Sequence, residues 1–459
     1  MSIRIDYTNM LTPAVGSGGV DPQRLGGDLQ ERFARARDAV AARRAGGALG
    51  FLDLPHDLEA ARGVAAVAES FGQWFENLVV VGIGGSALGA RAVRDGLLGP
   101  LWNQWSDERR EHYPRLYVLD NPDPSTVRAL LDELDLTRTL FNVVSKSGST
   151  AETMALYLVI EGRLRALVGD EAARGHFLFT TDPERGALRA IAEAEGIPAL
   201  SIPPNVGGRF SVLSPVGLFP AAATGVDIEA LLGGARTMAE RCEAPALTEN
   251  PAGLLATLLH VADSEYGRPI HVLMPYHDRL RAFALWYQQL WAESLGKHTP
   301  GGGHVGPTPL PALGAVDQHA QVQLFMEGPH DKVVVFVRAE PHGDPVAIPD
   351  HRGADETLGY LAGHTLAELL DAERRATTEA LRRGGRPSLT IDAGRLDAEA
   401  LGGLFLLWEY ATVYAGALYG VDPLDQPGVE LGKRLTYGLM GRPGFEAPEP
   451  GATDGTRAV

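Results

Sequence analysis

Apolar positions along the chain fall into short β-branched runs separated by stretches of helical spacing. From about Glu76 the runs NLVVVGIGG, RLYVLDN, LFNVVSKSG and HFLFTTD alternate with helical segments: Ala87 to Leu98, one from Ser125, one ending at Leu167, and Pro183 to Glu195. Strand-like runs separated by helices predict βαβ units, a largely parallel sheet and helices on both of its faces. A second alternating region follows. It holds a helix from Asn250 to Glu265, the run PIHVLMPY, an amphipathic helix from Leu280 to Leu295 and a Gly/Pro-rich irregular passage. QVQLFMEG, KVVVFVRAE and helices from Thr365 to Arg383 and Ala398 to Gly420 complete it. The expected fold class is α/β, with two doubly wound domains and mainly parallel sheets. The charged helical stretch Asp28 to Arg44 marks an N-terminal arm, 1–60, ahead of domains at 61–245 and 246–440. The Pro/Gly-rich tail, 441–459, is expected to be disordered.

Composition narrows the function classes. The chain has 459 residues, a length suited to two domains, with 45% hydrophobic and 22% charged residues. A net charge of −17 argues against binding to nucleic acid or anionic membranes, so an anionic ligand would need a locally basic pocket. Cys242 is the only cysteine, which excludes an intrachain disulfide and a cysteine metal cage; it is expected to be inert packing. The N-terminus lacks the pattern of a secretory signal, and no apolar run reaches bilayer-spanning length. A cytoplasmic enzyme is expected.

Two strand-to-helix turns carry candidate chemistry. In the first, Val143-Val144 drops into Ser145, Lys146, Ser147, Gly148, Ser149 and Thr150, and helical spacing resumes at Ala151. Hydroxyls, an ammonium and free N–H groups at a helix N-terminus suit a phosphate dianion. The spacing is not that of a nucleotide-triphosphate loop, so a sugar monophosphate fits better. An ordinary serine-rich N-cap is the alternative. The second turn, Gly82 to Gly89, matches G-x-G-x-x-A at Gly82, Gly84 and Ala87, which keeps a dinucleotide site in contention. The acidic ribose partner is badly placed, however: Asp120 ends the next strand too far on. On the sugar-phosphate reading, Gly85 and Ser86 line the same sheet edge as the serine loop.

Further candidates are Arg209 behind Gly207-Gly208, the Gln289/Glu293 pair one helical turn apart, and Gln426 with Lys433 on one helical face. Taken singly, each is better explained without catalysis, Glu293 as a solvated surface carboxylate and Lys433 as a last-turn or exposed lysine; together beside a phosphate loop they suggest an active site. Six ordered blocks carry a family resemblance: GIGGSALG, SKSGSTAET, VGGRFSVLSPVGLFP, WAESLGK, DQHAQVQLFMEG and DQPGVELGK. From about Phe71 to Lys433 the chain resembles the metal-free glucose-6-phosphate isomerase family, not the unrelated cupin-type isomerase.

The resemblance implies two three-layer αβα sugar-isomerase domains and reversible interconversion of glucose 6-phosphate and fructose 6-phosphate through a cis-enediolate. It implies no metal and no cofactor, a sugar-phosphate substrate, and a homodimer whose active sites draw on both subunits. By position it makes Glu293 the base moving a proton between C1 and C2, and Arg209 the cation that stabilises the intermediate. His319 and Lys433 become the ring-opening pair. Gly85, Ser86, Ser145, Lys146, Ser147, Gly148, Ser149, Thr150 and Gln289 fall at substrate-binding positions, with Thr153 and Gln426 weaker. His298 and His304 read as loop residues, His304 being the fallback for His319.

The chemistry is self-consistent. A carbon next to a carbonyl is a weak acid, so a carboxylate deprotonates it only where fixed positive charge stabilises the forming enediolate. Competing functions are an isomerase of another hexose phosphate, with mannose 6-phosphate as a side substrate, a non-catalytic sugar-phosphate sensor, and a dehydrogenase.

Overall fold

The computed structural model describes residues 3–448. Its strands are β1 (Arg4–Asp6), β2 (Asn77–Val81), β3 (Arg115–Leu119), β4 (Thr139–Ser145), β5 (Phe177–Thr181), β6 (Ala199–Ser201), β7 (Ile270–Pro275), β8 (Lys297–His298), β9 (His304–Val305), β10 (Thr308–Pro311), β11 (Lys332–Glu340) and β12 (Ser388–Arg395). One sheet has the order β3-β2-β4-β5-β6 and is parallel throughout. The other has the order β1-β12-β11-β7-β10 and is parallel except for β1, which pairs antiparallel with β12. β8 and β9 make a small hairpin.

Period-two alternation decides the layering. Leu78 and Val80 of β2, and Val333, Val335 and Val337 of β11, face a single inner core shared by the two sheets. Val79 and Val81 face the opposite way, onto Tyr157, Ile160 and Leu164 of helix Ala151–Val168. Val334 and Phe336 likewise face a third cluster on the far side of the second sheet. Both units are therefore doubly wound αβα layers, fused through their inner helices.

Helix Ala398–Tyr419 fills the centre, packed on helices Asp28–Ala45, Ile228–Cys242, Pro251–Ser264 and Arg281–Leu295. It is long and apolar enough to cross a membrane, contrary to the sequence expectation, but 89% of that window is buried inside the protein. Helices surrounding it on all sides account for its lack of a polar face. Mid-helix Glu409 is wholly enclosed, and burial pushes its carboxyl well above the usual range.

The expected N-terminal arm is a correction. Leu29, Phe33, Ala36 and Val40 lie on one face of helix Asp28–Ala45 and are buried, and β1 extends the second sheet. That apolar stripe, masked by surrounding charges in the sequence, ties the segment to the core. Of the expected disordered tail, residues 441–448 are described and turn back, with Phe445 edge-on to Tyr437 at 5.0 Å. Residues 449–459 lie outside the described residues.

Each sheet has a point where successive connections leave in opposite directions, between β2 and β4 in the first and between β7 and β11 in the second. Ligands of doubly wound sheets bind at such points. The second opens into a cleft of about 1120 Å³ that includes Tyr276, His277, Arg338 and His342. There, however, helix Leu366–Arg383 closes its own N-terminus with a capping box between Thr365 and Glu368.

Candidate active site

The first switch point gathers most of the expected residues. After β2 the chain turns through Gly84, at φ +57°, into helix Gly85–Val93. A Cβ on Gly85 would lie 2.2 Å from the carbonyl oxygen of Gly208, so the two glycine loops press backbone against backbone. A Cβ on Gly84 would meet Gln289 Nε2 at 2.8 Å. The space in which a dinucleotide pyrophosphate would approach this turn is thus filled by protein. Asp120, the misplaced ribose candidate, pairs with Arg91 at 2.9 Å.

After β4 the hydroxyls of Ser145, Ser147 and Thr150 cluster. Ser145 Oγ lies 3.0 Å from Thr150 Oγ1 and 3.5 Å from Ser147 Oγ, and Ser147 Oγ lies 3.3 Å from Thr150 Oγ1. Ser149 donates to Ser147 Oγ from both its amide and its hydroxyl, at 3.3 and 3.4 Å. Thr150 is the N-cap of helix Ala151–Val168, yet its side chain makes no capping bond. The hydroxyls face one another rather than closing the helix end, which disfavours the plain N-cap reading. Thr153 is buried one turn on, its hydroxyl away from solvent.

Lys146 differs from the expectation. Its ammonium donates to the carbonyl oxygens of Pro204 and Val206, both at 2.7 Å, and burial lowers its pKa. Its backbone belongs to the serine loop while its charge is spent on the segment leading into Gly207-Gly208-Arg209.

The acid/base group stands beside these loops on helix Arg281–Leu295. Gln289 Nε2 donates to Glu293 Oε2 at 3.1 Å, and Arg209 Nη1 lies 3.6 Å from the same oxygen. The Arg209 side chain is 4% exposed. Its Nε donates to Ser294 Oγ at 2.7 Å and its Nη1 to Gln426 Oε1 at 2.9 Å. Its Nη2 donates to the carbonyl oxygens of Pro423 and Asp425 at 2.6 and 2.8 Å. Every N–H but one is engaged, and the remaining one is on Nη1, the nitrogen beside Glu293. Burial holds the guanidinium below its usual pKa, opposed by Glu293, Asp425 and Asp422. The result is a rigid cation next to a carboxylate that is itself partly open to solvent.

The side chains of His319 and Lys433 make no hydrogen bond or ion pair with this cluster among the described residues. His319 follows the turn Val316–Gln318 beyond β10 and is exposed; its neighbour Gln318 accepts from Tyr276 Oη, at the end of β7, at 2.6 Å. Helix Arg281–Leu295 starts near that end of β7 and carries Glu293 back to the other end, on the order of 18 Å away at ~1.5 Å per residue. Lys433, on helix Glu430–Leu439, is half exposed and pairs with Glu430 at 2.8 Å. The fallback His304 faces His298 across the β8–β9 hairpin, ring centroids 4.2 Å apart. Sequence reasoning missed Ser294 and the carbonyls of Pro423 and Asp425. Ser294 adjoins Glu293 within WAESLGK, but backbone acceptors leave no trace in side-chain patterns.

Comparison with known proteins identifies the family. The family model for phosphoglucose isomerase matches residues 65–444. A glucose-6-phosphate isomerase of Rubrobacter xylanophilus is 47% identical over 453 residues, covering 97% of this chain and 99% of the relative. One from Carboxydothermus hydrogenoformans is 43% identical, covering 97% and 96%. A crystal structure of a hypothetical protein from Thermus thermophilus superposes with a TM-score of 0.85 at 42% identity, covering 96% of this chain and 100% of that one. The structure of a glucose-6-phosphate isomerase from Chlamydia trachomatis gives 0.73 at 25% identity, covering 89% and 78%. With the match spanning both sheets and every loop of the first switch point, the chain belongs to the phosphoglucose isomerase family.

Proposed function

We propose that Glu293 and Arg209 form the catalytic centre of the aldose–ketose isomerisation that this family member catalyses, the reversible interconversion of D-glucose 6-phosphate and D-fructose 6-phosphate of glycolysis and gluconeogenesis. The observation that carries this reading is the Arg209–Glu293–Gln289 cluster lying against the glycine turn after β2, next to the paired strand β4 that ends in the hydroxyl loop. Ser145, Ser147, Ser149 and Thr150 bind the phosphate with the loop backbone at Lys146 and Gly148. Gly85, Ser86 and Gln289 line the sugar. Glu293 takes the proton from C2 of the open-chain aldose as electrons move onto the C1 oxygen. The single free N–H of Arg209 stabilises the enediolate, the proton of the 2-hydroxyl passes to O1, and Glu293 returns its proton to C1 as the C2 carbonyl forms. The hydrogen stays within the substrate or exchanges with solvent, so the step balances without a redox cofactor.

Ring opening requires a separate proton shuttle to the ring oxygen, a role we assign to His319 and Lys433. His319 sits a helix length from Glu293 of its own chain, and exposed Val316 and Leu324 flank it. Both facts support a homodimer in which His319 serves the site of the second copy. A cytoplasmic enzyme fits the composition.

The test is turnover of fructose 6-phosphate by Glu293→Gln. Substrate still binds, because the phosphate loop is untouched, and kcat falls roughly 10²–10⁴-fold, the worth of a general base. Wild-type turnover would remove Glu293 from the mechanism.

A further inference from the structure

The turn 422–426 connects the central helix to the exposed helix bearing Lys433, and Arg209 holds it from one side. A second cation holds the same turn. Lys297 Nζ donates to the carbonyl oxygens of Asp422 and Asp425 at 3.0 and 2.7 Å, and to Asp425 Oδ1 at 2.9 Å. Every N–H of the ammonium is thereby engaged. The Asp425 carbonyl accepts from both Lys297 and Arg209. Arg43 adds a third grip, on Asp422 Oδ1 at 2.7 Å.

This is not a surface ion pair. Exposed pairs contribute about 0–1 kcal/mol, whereas the Lys297 side chain is 7% exposed and two of its three acceptors are backbone oxygens. Withdrawing an ammonium from water is costly unless its donors are met. Here they are met by one short segment of chain. Lys297 also sits immediately past Gly296, where the helix carrying Glu293 ends. It therefore fastens the end of the base helix to the turn that presents Gln426 to Arg209.

We propose that Lys297 is a positioning residue for the isomerisation: its enclosed ammonium locks the 422–426 turn to the base helix, keeping Gln426 on Arg209 and setting the register of the helix that bears Lys433. This rests on the roles given above to Glu293, Arg209 and Lys433. Arg209 bridges the same two pieces from a third segment, through Ser294 on the base helix and Pro423, Asp425 and Gln426 on the turn; Lys297 ties the end of the helix to the turn directly.

The experiment is a double-mutant cycle on the full chain. Lys297→Met keeps the aliphatic stem and removes the charge. A small misplacement of catalytic groups costs up to about 100-fold, so kcat falls roughly 10–100-fold. KM and inhibition by inorganic phosphate stay within about threefold, because the hydroxyl loop is held by other contacts. Gln426→Ala acts through the same turn, so the double variant loses no more than the worse single one. Asp425→Asn, which deletes only the charge partner, loses kcat in the same direction but less, and keeps the proposal testable should Lys297→Met fail to fold. Wild-type kcat in both Lys297→Met and Asp425→Asn overturns the proposal. So do losses that multiply in the double variant, or a loss confined to KM. Glu293→Gln run alongside distinguishes the cases: full turnover there discredits the base, while loss there with an intact Lys297→Met discredits only the clamp.

Discussion

Arg209→Lys separates the two jobs that one guanidinium performs. The native side chain spans from Ser294 Oγ to the carbonyls of Pro423 and Asp425 and touches Gln426 on the way. A lysine ammonium is a compact point charge and cannot bridge that span. It can keep part of the grip while leaving the other buried acceptors unmet. Hydrogen bonds to charged groups contribute about 1.5–3 kcal/mol each. Losing two and retaining the charge costs on the order of 3–5 kcal/mol, which lowers the melting temperature by roughly 3–5 °C in a chain of this size. Catalysis suffers separately, because the free N–H beside Glu293 is no longer fixed. Removing one preorganised donor from a developing oxyanion costs about 10²–10³ in kcat. Initial rates of glucose 6-phosphate formation, followed by coupled oxidation of that product well below the melting temperature, should show this loss with KM little changed. A variant that melts early yet keeps kcat within about threefold of wild type refutes the oxyanion role and leaves Arg209 as a clamp.

Replacing Ser147 and Thr150 together with alanine should weaken sugar phosphate and inorganic phosphate alike, by roughly 100-fold at about 1.5 kcal/mol per lost bond; unchanged affinity by calorimetry would move the anion site. Lys146→Met should leave phosphate affinity within about threefold and reduce kcat, since its ammonium holds the Arg209 loop; a loss of phosphate affinity alone would restore it as a phosphate ligand. Calorimetric titration with a sugar phosphate should saturate at one site per chain, because the second switch point is closed by Glu368; two equal sites would contradict that.

Much of this was legible because the strongest signals are local. β2, β4, β5, β7 and β11 are apolar runs flanked by turns, and each lies where the pattern puts it. β6 has only three residues, and β10 carries Pro309 and Pro311, which a strand tolerates at a sheet edge where an N–H need not be donated. β12 interleaves Thr390 and Asp392 with apolar positions, a weaker signal than the β-branched runs. The glycine and serine loops could be read as a site because their function depends on sequence-adjacent residues. The clamp could not. It depends on which backbone oxygens come within reach of Arg209 and Lys297 from more than a hundred residues away, and on whether Lys146 points toward the ligand or away from it.

Two sheets that share the order of four parallel strands yield one site, and the reason lies in their helix ends. At the first switch point Thr150 leaves its helix N-terminus uncapped by its side chain and joins a hydroxyl cluster. At the second, the Glu368 carboxylate accepts from the N–H of Thr365, and Thr365 Oγ1 accepts from that of Glu368. A helix end already neutralised by its own glutamate repels a phosphate dianion that an open one attracts. The second unit contributes differently: its helix Arg281–Leu295 runs back from β7 and delivers Gln289 and Glu293 to the glycine turn of the first. The phosphate loop alone would bind without reacting, and the carboxylate alone would have no substrate held against it. Fusion of the two inner faces into one core fixes their separation, so the rigidity that a proton transfer over a few ångströms demands is set by packing between the units rather than within either one.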